Sequence, residues 1–189
     1  GTGAPSSHRR GIAPTAGAVR GGVLQWTAMT PDDLVAIEEI RQLKYRYVRF
    51  LDTKRWDDLA ELLTPDVTVS FGGGAVERSG RDEVMAFFVE SLGDTSTFTR
   101  HTVGQPEITL VDADTATGTW ALADEVVMSE GGLTVRGAGY YDDRYVRTAD
   151  GWRIAHTGYR RLYEEIEPRR DEVRLTASWW ATDGRSSLG

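Results

Sequence analysis

Residues 140–162, YYDDRYVRTADGWRIAHTGYRRL, predict two long strands joined by a tight turn at ADG. Two further turn signals, DAD and EGG, separate strand-like runs that precede this hairpin. Short turns of this kind connect neighbouring antiparallel strands, so the pattern predicts an antiparallel meander. The predicted strands are residues 98–104, 106–111, 115–128, 133–148 and 152–161.

The segment before the meander has helical periodicity. From Pro31 to about Asp52, apolar residues recur along one side of a 3.6-residue period, and Thr30 is the predicted N-cap. This pattern is typical of a long amphipathic helix that packs one side against a sheet. The predicted apolar stripe consists of Leu34, Ile37, Ile40, Val48 and Leu51.

Two shorter helices are predicted after the first one. The run KRWDDLAELLTPD predicts a short helix stopped by Pro65, and VTVSF predicts a strand. The run SGRDEVMAFFVESLG predicts a third helix, with Ser79 as N-cap and Gly93 as C-cap. Helices followed by strands predict an α+β fold, in which a curved antiparallel sheet packs on about three N-terminal helices. The curvature can leave a cavity between the two layers.

Composition restricts the classes of partner. The chain has 189 residues and a formal net charge of -7, with a pI near 5.0. Nucleic acids and anionic membranes are polyanions that require clustered Lys and Arg, so neither is an expected partner. A hydrophobic small molecule or another protein is expected instead. The chain has no cysteine, which excludes thiolate nucleophiles and cysteine zinc sites and suits a cytoplasmic protein.

Three segments are distinguished along the chain. Residues 1–28 contain three Arg, no acidic residue and much Gly, Ala and Pro, which predicts a disordered extension of natural or artificial origin. Residues 29–165 contain the predicted helices and strands and form the expected domain. Residues 166–189 are polar except for ASWW, and this C-terminal tail is expected to cover the sheet or to contact a second subunit.

Several catalytic motifs are absent from the sequence. There is no G-x-S-x-G, no G-x-x-x-x-G-K and no H-E-x-x-H, which argues against hydrolase, P-loop and zincin chemistry. The three histidines lie far apart, at His8, His101 and His156, so a site with several histidine ligands is not expected. Acid–base chemistry by side chains is what remains.

The candidates for this chemistry are polar residues at positions predicted to be buried. Asp52 and Tyr47 flank the apolar stripe of the first helix, although Asp52 could simply cap the following loop. His101 lies on the more apolar face of its strand, where a histidine is often structural. Asp124 alternates with apolar residues in TGTWALADEVVM, and a carboxylate there requires a partner unless a twist or bulge turns it to water.

Residues 30–165 resemble the SnoaL-like branch of the nuclear transport factor 2-like superfamily. The similarity rests on YVRFLDTKRWDDLAELLTPDV, GRDEVMAFF, TRHTVGQPEITLVDADTATGTWAL and YYDDRYVRTADGWRIAHTGYRRL. Within that branch the chain is most similar to the scytalone dehydratase, bile-acid dehydratase and lindane dehydrochlorinase group. The resemblance implies a cone-shaped α+β barrel that eliminates water or HCl without metal or organic cofactor.

The resemblance also implies which residues form the site. The Asp and His of the family's catalytic dyad correspond to Asp52 and His101, and Tyr47 and Asp124 occupy two further positions of the bile-acid dehydratase site. A basic residue from the last strand is expected, either Arg160 or Arg161. Scytalone dehydratase has a second histidine on the strand that here contains Asp124, and this sequence has none.

These observations predict a cofactor-independent dehydratase acting on a hydrophobic β-hydroxy carbonyl compound, possible substrates being steroid- or polyketide-like. The alternatives are a non-catalytic ligand-binding or protein-docking module, a polyketide cyclase and an epoxide hydrolase. A homodimer is also expected, with SWW at 178–180 compatible with it. The predicted substrate-binding residues are Arg161, with Trp56, Phe71, Phe87, Phe88, Trp120 and Tyr140 as cavity walls.

Overall fold

The order of elements places the helices before the long strands, as the sequence predicts. The computed structural model describes residues 29–170 and 172–187, and the predicted extension at 1–28 lies outside them. The elements are α1 (Pro31–Asp52), α2 (Trp56–Ala60), β1 (Leu63–Phe71), β2 (Val76–Ser79), α3 (Arg81–Leu92), β3 (Thr97–Leu110), β4 (Thr115–Met128), β5 (Leu133–Thr148), β6 (Gly151–Pro168) and α4 (Trp179–Thr182).

The strands form one curved, unclosed sheet with the order β2-β1-β6-β5-β4-β3, against which the helices pack. The predicted meander corresponds to β3–β6, which are antiparallel neighbours. β1 pairs with β6 in parallel, so the sheet is mixed and not wholly antiparallel. The parallel pair is possible because the long connection through α3 and β3–β5 returns the chain to the far side of the sheet. The predicted α+β fold is confirmed.

α1 is held at its N-terminal end and buried along one side. The Thr30 hydroxyl accepts a hydrogen bond from the Asp33 N–H at 3.1 Å, and the Asp33 carboxylate accepts one from the Thr30 N–H at 2.8 Å, forming a capping box. The prediction that Leu34 belongs to the apolar stripe is wrong, because its side chain is 57% exposed. The buried side begins at Ala36 and continues through Ile40 and Leu43.

Three predicted boundaries differ from the structure. α2 ends at Ala60 and Pro65 lies inside β1, next to a register irregularity where a proline without an N–H is tolerated. Ser79 is the last residue of β2, so it does not cap α3. Gly80 occupies the cap instead, with a φ of 90° that favours glycine. The predicted strands 98–104 and 106–111 are one strand, β3, with an irregularity between Gly104 and Glu107.

The C-terminal segment continues beyond the predicted domain end at 165. β6 runs to Pro168, and the short α4 follows, with Ser178 as its N-cap. The Trp180 ring lies 5.7 Å from the Lys54 ammonium, so the tail reaches the loop that follows α1. Among residues 29–170 and 172–187, none of the helices combines the length and hydropathy needed to cross a bilayer.

Candidate active site

Asp52 and His101 meet where the C-terminal end of α1 lies against β3. His101 Nδ1 lies 2.6 Å from Asp52 Oδ1. The backbone N–H of His101 donates to Oδ2 at 2.8 Å, and the Thr99 hydroxyl donates to Oδ1 at 2.8 Å. Thr99 and His101 are two residues apart and therefore face the same side of the strand. Both oxygens of Asp52 are fixed by one short stretch of β3.

This pairing determines the tautomer of His101. An ionised carboxylate can only accept hydrogen bonds, so Nδ1 carries the proton and Nε2 of the neutral ring keeps a free lone pair. The His101 side chain is 10% exposed and that of Asp52 is 19% exposed. The imidazole is thus largely withdrawn from water but can still be reached. A ring oriented by a carboxylate in this way is suited to act as a general base.

Asp124 lies directly opposite His101 in the sheet. The two residues are cross-strand partners in β3 and β4, a relation that places side chains of one face side by side. Both oxygens of Asp124 accept hydrogen bonds from the guanidinium of Arg161, one of them at 3.0 Å. Arg161 supplies the partner that a buried carboxylate requires. Of the two candidate arginines, Arg161 faces the interior and Arg160 is exposed.

Arg161 reaches Asp124 by crossing the intervening strand. Because β5 lies between β6 and β4, the guanidinium must pass over β5, and it does so at Gly137. A Cβ atom added at Gly137 would lie 2.6 Å from Nη1 of Arg161. The absence of a side chain at this position therefore makes room for the Asp124–Arg161 pair.

Two bulges in β6 determine which of its residues face inward. One lies at Ala155: Tyr145 pairs with Ile154 and Arg144 with His156, so Ala155 is an extra residue. As a result Ile154 and Thr157 are both buried, and the prediction that they lie on opposite faces is wrong.

A Gly137→Ala substitution is expected to break the Asp124–Arg161 pair. The added methyl group would displace Arg161 and leave Asp124 without its partner, at a cost of about 1–3 kcal/mol in stability. Urea unfolding measures that loss, and a crystal structure of the variant shows the side chains. Gly104→Ala is the matched control, since a methyl group added there meets no heavy atom of the described residues within 4 Å. An intact pair and an unchanged unfolding free energy in Gly137→Ala would contradict this interpretation.

Tyr47 lies deeper than the dyad. Its side chain is 1% exposed, and its ring makes edge-on contacts with Phe88 and Tyr141 at centroid distances of 6.4 and 6.5 Å. Burial raises the pKa of Tyr47, and the negative charge of Asp143 raises it further. Its hydroxyl also interacts with Thr157, so Tyr47 belongs to a polar cluster beneath the site.

Sequence reasoning missed the centre of that cluster, the buried pair of Lys44 and Asp143. Lys44 Nζ lies 2.7 Å from Asp143 Oδ2, and both side chains are fully buried. The Tyr145 hydroxyl donates to the same carboxylate oxygen at 2.6 Å. Burial lowers the pKa of Lys44, and Asp143 opposes that shift. The signal was present in the sequence, because Lys44 follows the buried Ile40 by one helical turn.

The predicted aromatic walls occupy several environments. The prediction for Tyr140 is wrong: its side chain is 49% exposed on the outer face of the sheet, and the neighbouring Tyr141 faces inward. Trp120 has no exposed surface, and its indole N–H donates to the Tyr145 hydroxyl at 2.9 Å, so it is a core residue. The remaining predicted walls are Phe88, in the core, Phe71, stacked on Phe87 and Tyr159, and Trp56, partly buried.

Charges at the site and in the core beneath it are balanced by pairing. Three cation–carboxylate pairs account for this balance, and the described ranges contain no group of three or more His, Asp and Glu side chains that could hold a metal ion. Such pairing leaves the site with little net charge to attract an ion. The three pairs are Asp52–His101, when the imidazole is protonated, Asp124–Arg161 and Lys44–Asp143.

Comparison with known proteins identifies sequence relatives. The pattern of the SnoaL-like domain matches residues 32–158. The uncharacterized protein Rv2910c of Mycobacterium tuberculosis is 33% identical over 119 residues, which are 61% of this chain and 78% of the relative. The protein named "Probable cyclase FGR4" of Gibberella zeae is 26% identical over 139 residues, covering 67% of this chain and 91% of that protein.

A solved structure shares the architecture. Hexachlorocyclohexane dehydrochlorinase LinA-type3 from Novosphingobium barchaimii superimposes with a TM-score of 0.65 over 78% of this chain and 98% of that chain, at 17% identity. At this identity the likeness shows the fold alone. It establishes that helices packed on a curved sheet of this kind recur in an enzyme.

Proposed function

Because this chain belongs to the SnoaL-like domain family, we propose that it is a dehydratase, a lyase that removes water from a hydrophobic β-hydroxy carbonyl substrate. The reaction proceeds by acid–base catalysis between Asp52 and His101, without metal or organic cofactor. The coarser assignment, a small-molecule enzyme or binding module, follows from the family and its cyclase relative. The dehydrochlorinase that shares the fold catalyses, by its name, an elimination, which supports a lyase.

One observation carries the proposal: the hydrogen bond of 2.6 Å between His101 Nδ1 and Asp52, which leaves Nε2 free. His101 Nε2 takes a proton from the carbon next to the substrate carbonyl, and the C–H electron pair moves to form an enolate. The enolate electrons then form the C=C bond as the bond to the β-hydroxyl breaks. The hydroxyl leaves as water with the proton from the His101 imidazolium, which restores the neutral ring.

Asp52 stabilises the imidazolium during this cycle. Its negative charge lies against Nδ1, and Thr99 and the strand backbone keep it from rotating. A positioned base of this kind contributes about 10²–10⁴ in rate. The charge developed on His101 is therefore met by a group that is in place before the reaction begins.

The remaining polar residues position the substrate. Asp124 and Arg161 lie beside His101 and orient polar oxygens of the substrate, while Tyr47 supports the base of the site from the core. Phe71 and Trp56 are the proposed apolar contacts. The paired charges favour a neutral substrate, because a charged one would disturb the ion pairs on entering.

A cyclase is the second candidate, favoured by the name of the Gibberella zeae relative. The same base and the same oxyanion stabilisation would serve a ring closure through an enolate. An epoxide hydrolase and a pure binding module use the same fold with a different outcome. Self-association and a cytoplasmic location stay predictions from the sequence.

Mass spectrometry of reaction mixtures separates these functions. The protein is incubated with a panel of neutral polycyclic β-hydroxy ketones, and with epoxide and polyketide analogues. A dehydratase lowers the substrate mass by one water and produces the ultraviolet absorbance of an enone. A gain of one water identifies a hydrolase, and a new retention time at constant mass identifies a cyclase. Thermal stabilisation by a compound that is never transformed identifies a binding module.

A further inference from the structure

An enolate oxygen requires a hydrogen-bond donor, and the buried tyrosines cannot supply one. Tyr47 and Tyr141 are 1% and 2% exposed, so their hydroxyls have no surface at which a ligand could be met. Tyr159 is only partly buried. It lies two residues before Arg161 on β6 and therefore shares the inward face with it. The inference drawn from Tyr159 rests on the proposed function of this same site.

Tyr159 is connected to the dyad through one continuous row of side chains. The guanidinium carbon of Arg161 lies 4.7 Å from the centroid of the Tyr159 ring. Arg161 binds Asp124, and Asp124 is the cross-strand partner of His101. A substrate that places its α-carbon at His101 can extend along this row and bring its carbonyl oxygen toward Tyr159.

The ring of Tyr159 is fixed on several sides. Phe71 stacks on it at a centroid distance of 5.2 Å and an interplanar angle of 25°. Tyr141 meets it edge-on at 5.8 Å and 87°. A donor held in this way needs no reorganisation when charge develops on the substrate, which is the condition for effective oxyanion stabilisation.

The electrostatic surroundings keep Tyr159 a donor. Burial raises the pKa of its hydroxyl, and the positive charge of Arg161 partly opposes the rise. The hydroxyl therefore stays protonated at neutral pH, while the neighbouring cation increases its strength as a hydrogen-bond donor.

We propose that Tyr159 is a further catalytic residue, which donates a hydrogen bond to the substrate carbonyl oxygen as that oxygen becomes the enolate. Arg161 lies beside the same oxygen and adds its positive charge. The role differs from the one expected for Tyr47 from the sequence, because the accessible hydroxyl belongs to β6 and not to α1.

Tyr159→Phe tests the proposal, since it removes the hydroxyl and keeps the ring. With a ketone that the wild-type enzyme dehydrates, kcat should fall by about 10²–10³ while KM changes little. Tyr140→Phe, on the outer face of the same sheet, is the matched control and should keep the wild-type kcat. A Tyr159→Phe variant with wild-type kcat would overturn the role of Tyr159 and leave the dehydratase function standing.

Binding of cyclohex-2-enone gives a readout that does not depend on turnover. A hydrogen bond to its carbonyl shifts the ultraviolet absorption of the enone to longer wavelength. The wild type and Tyr140→Phe should show that shift, and Tyr159→Phe should lose it. A shift without any water loss from the substrate panel would sink the dehydratase function and retain the donor. The same spectrum in the wild type and in Tyr159→Phe would overturn the donor.

Discussion

Replacement of His101 by alanine is expected to abolish turnover and to leave the fold intact. The side chain supplies the free imidazole nitrogen that Asp52 orients, so its loss removes both the base and the proton carrier. The fold should survive because Asp52 keeps its hydrogen bonds from the Thr99 hydroxyl and the backbone N–H of residue 101. Steady-state kinetics with a dehydrated ketone measures the loss, and circular dichroism with a thermal melt checks the fold.

His156→Ala is the matched control for this variant. His156 is half-buried on β6, and its Nδ1 lies 2.7 Å from the Thr68 hydroxyl, away from Asp52. Its replacement should leave turnover close to that of the wild type. If His101→Ala turned over at the wild-type rate, the dyad would have no role in catalysis.

Lys44→Met should produce the largest change in stability. The substitution leaves the Asp143 carboxylate buried without its cation, and the loss of one partner from a buried pair costs about 3–5 kcal/mol. Within the described part of the chain, the other carboxylate oxygen of Asp143 already lacks a hydrogen-bond partner, so the pair cannot be replaced by a contact present nearby. Urea unfolding, followed by tryptophan fluorescence, measures the change in unfolding free energy.

The double variant Lys44→Met/Asp143→Asn separates the charge from the packing. Asparagine removes the uncompensated charge and retains an oxygen that can accept from the Tyr145 hydroxyl. The double variant should therefore recover much of the stability that Lys44→Met loses. Equal unfolding free energies for the wild type and Lys44→Met would show that the pair does not stabilise the core.

Strand periodicity was sufficient to predict part of the site. Thr99 and His101 alternate with exposed residues, and Asp124 alternates with buried apolar ones, so their faces could be read from the sequence. The position of Asp52 at the end of α1 followed from the helical stripe. Their convergence depends on the register between β3 and β4, which the family resemblance implied and periodicity alone did not.

The residues that were misplaced depend on features that periodicity does not encode. The bulge at Ala155 changes the alternation of β6, so the inward choice between Arg160 and Arg161 could not be made from the sequence. Tyr140 and Tyr141 are adjacent, and a shift of one residue in register exchanges the two faces. Lys44 was passed over because a charged residue on an apolar stripe is normally solvated.

The most direct test of the dyad is proton NMR in D₂O with a neutral β-hydroxy ketone, comparing the wild type with Asp52→Asn. The wild type should remove the proton next to the carbonyl and release the alkene. Asp52→Asn should do both at a rate lower by about 10² or more, because the imidazolium loses its counter-charge. Alkene formation at the wild-type rate in Asp52→Asn would contradict the account.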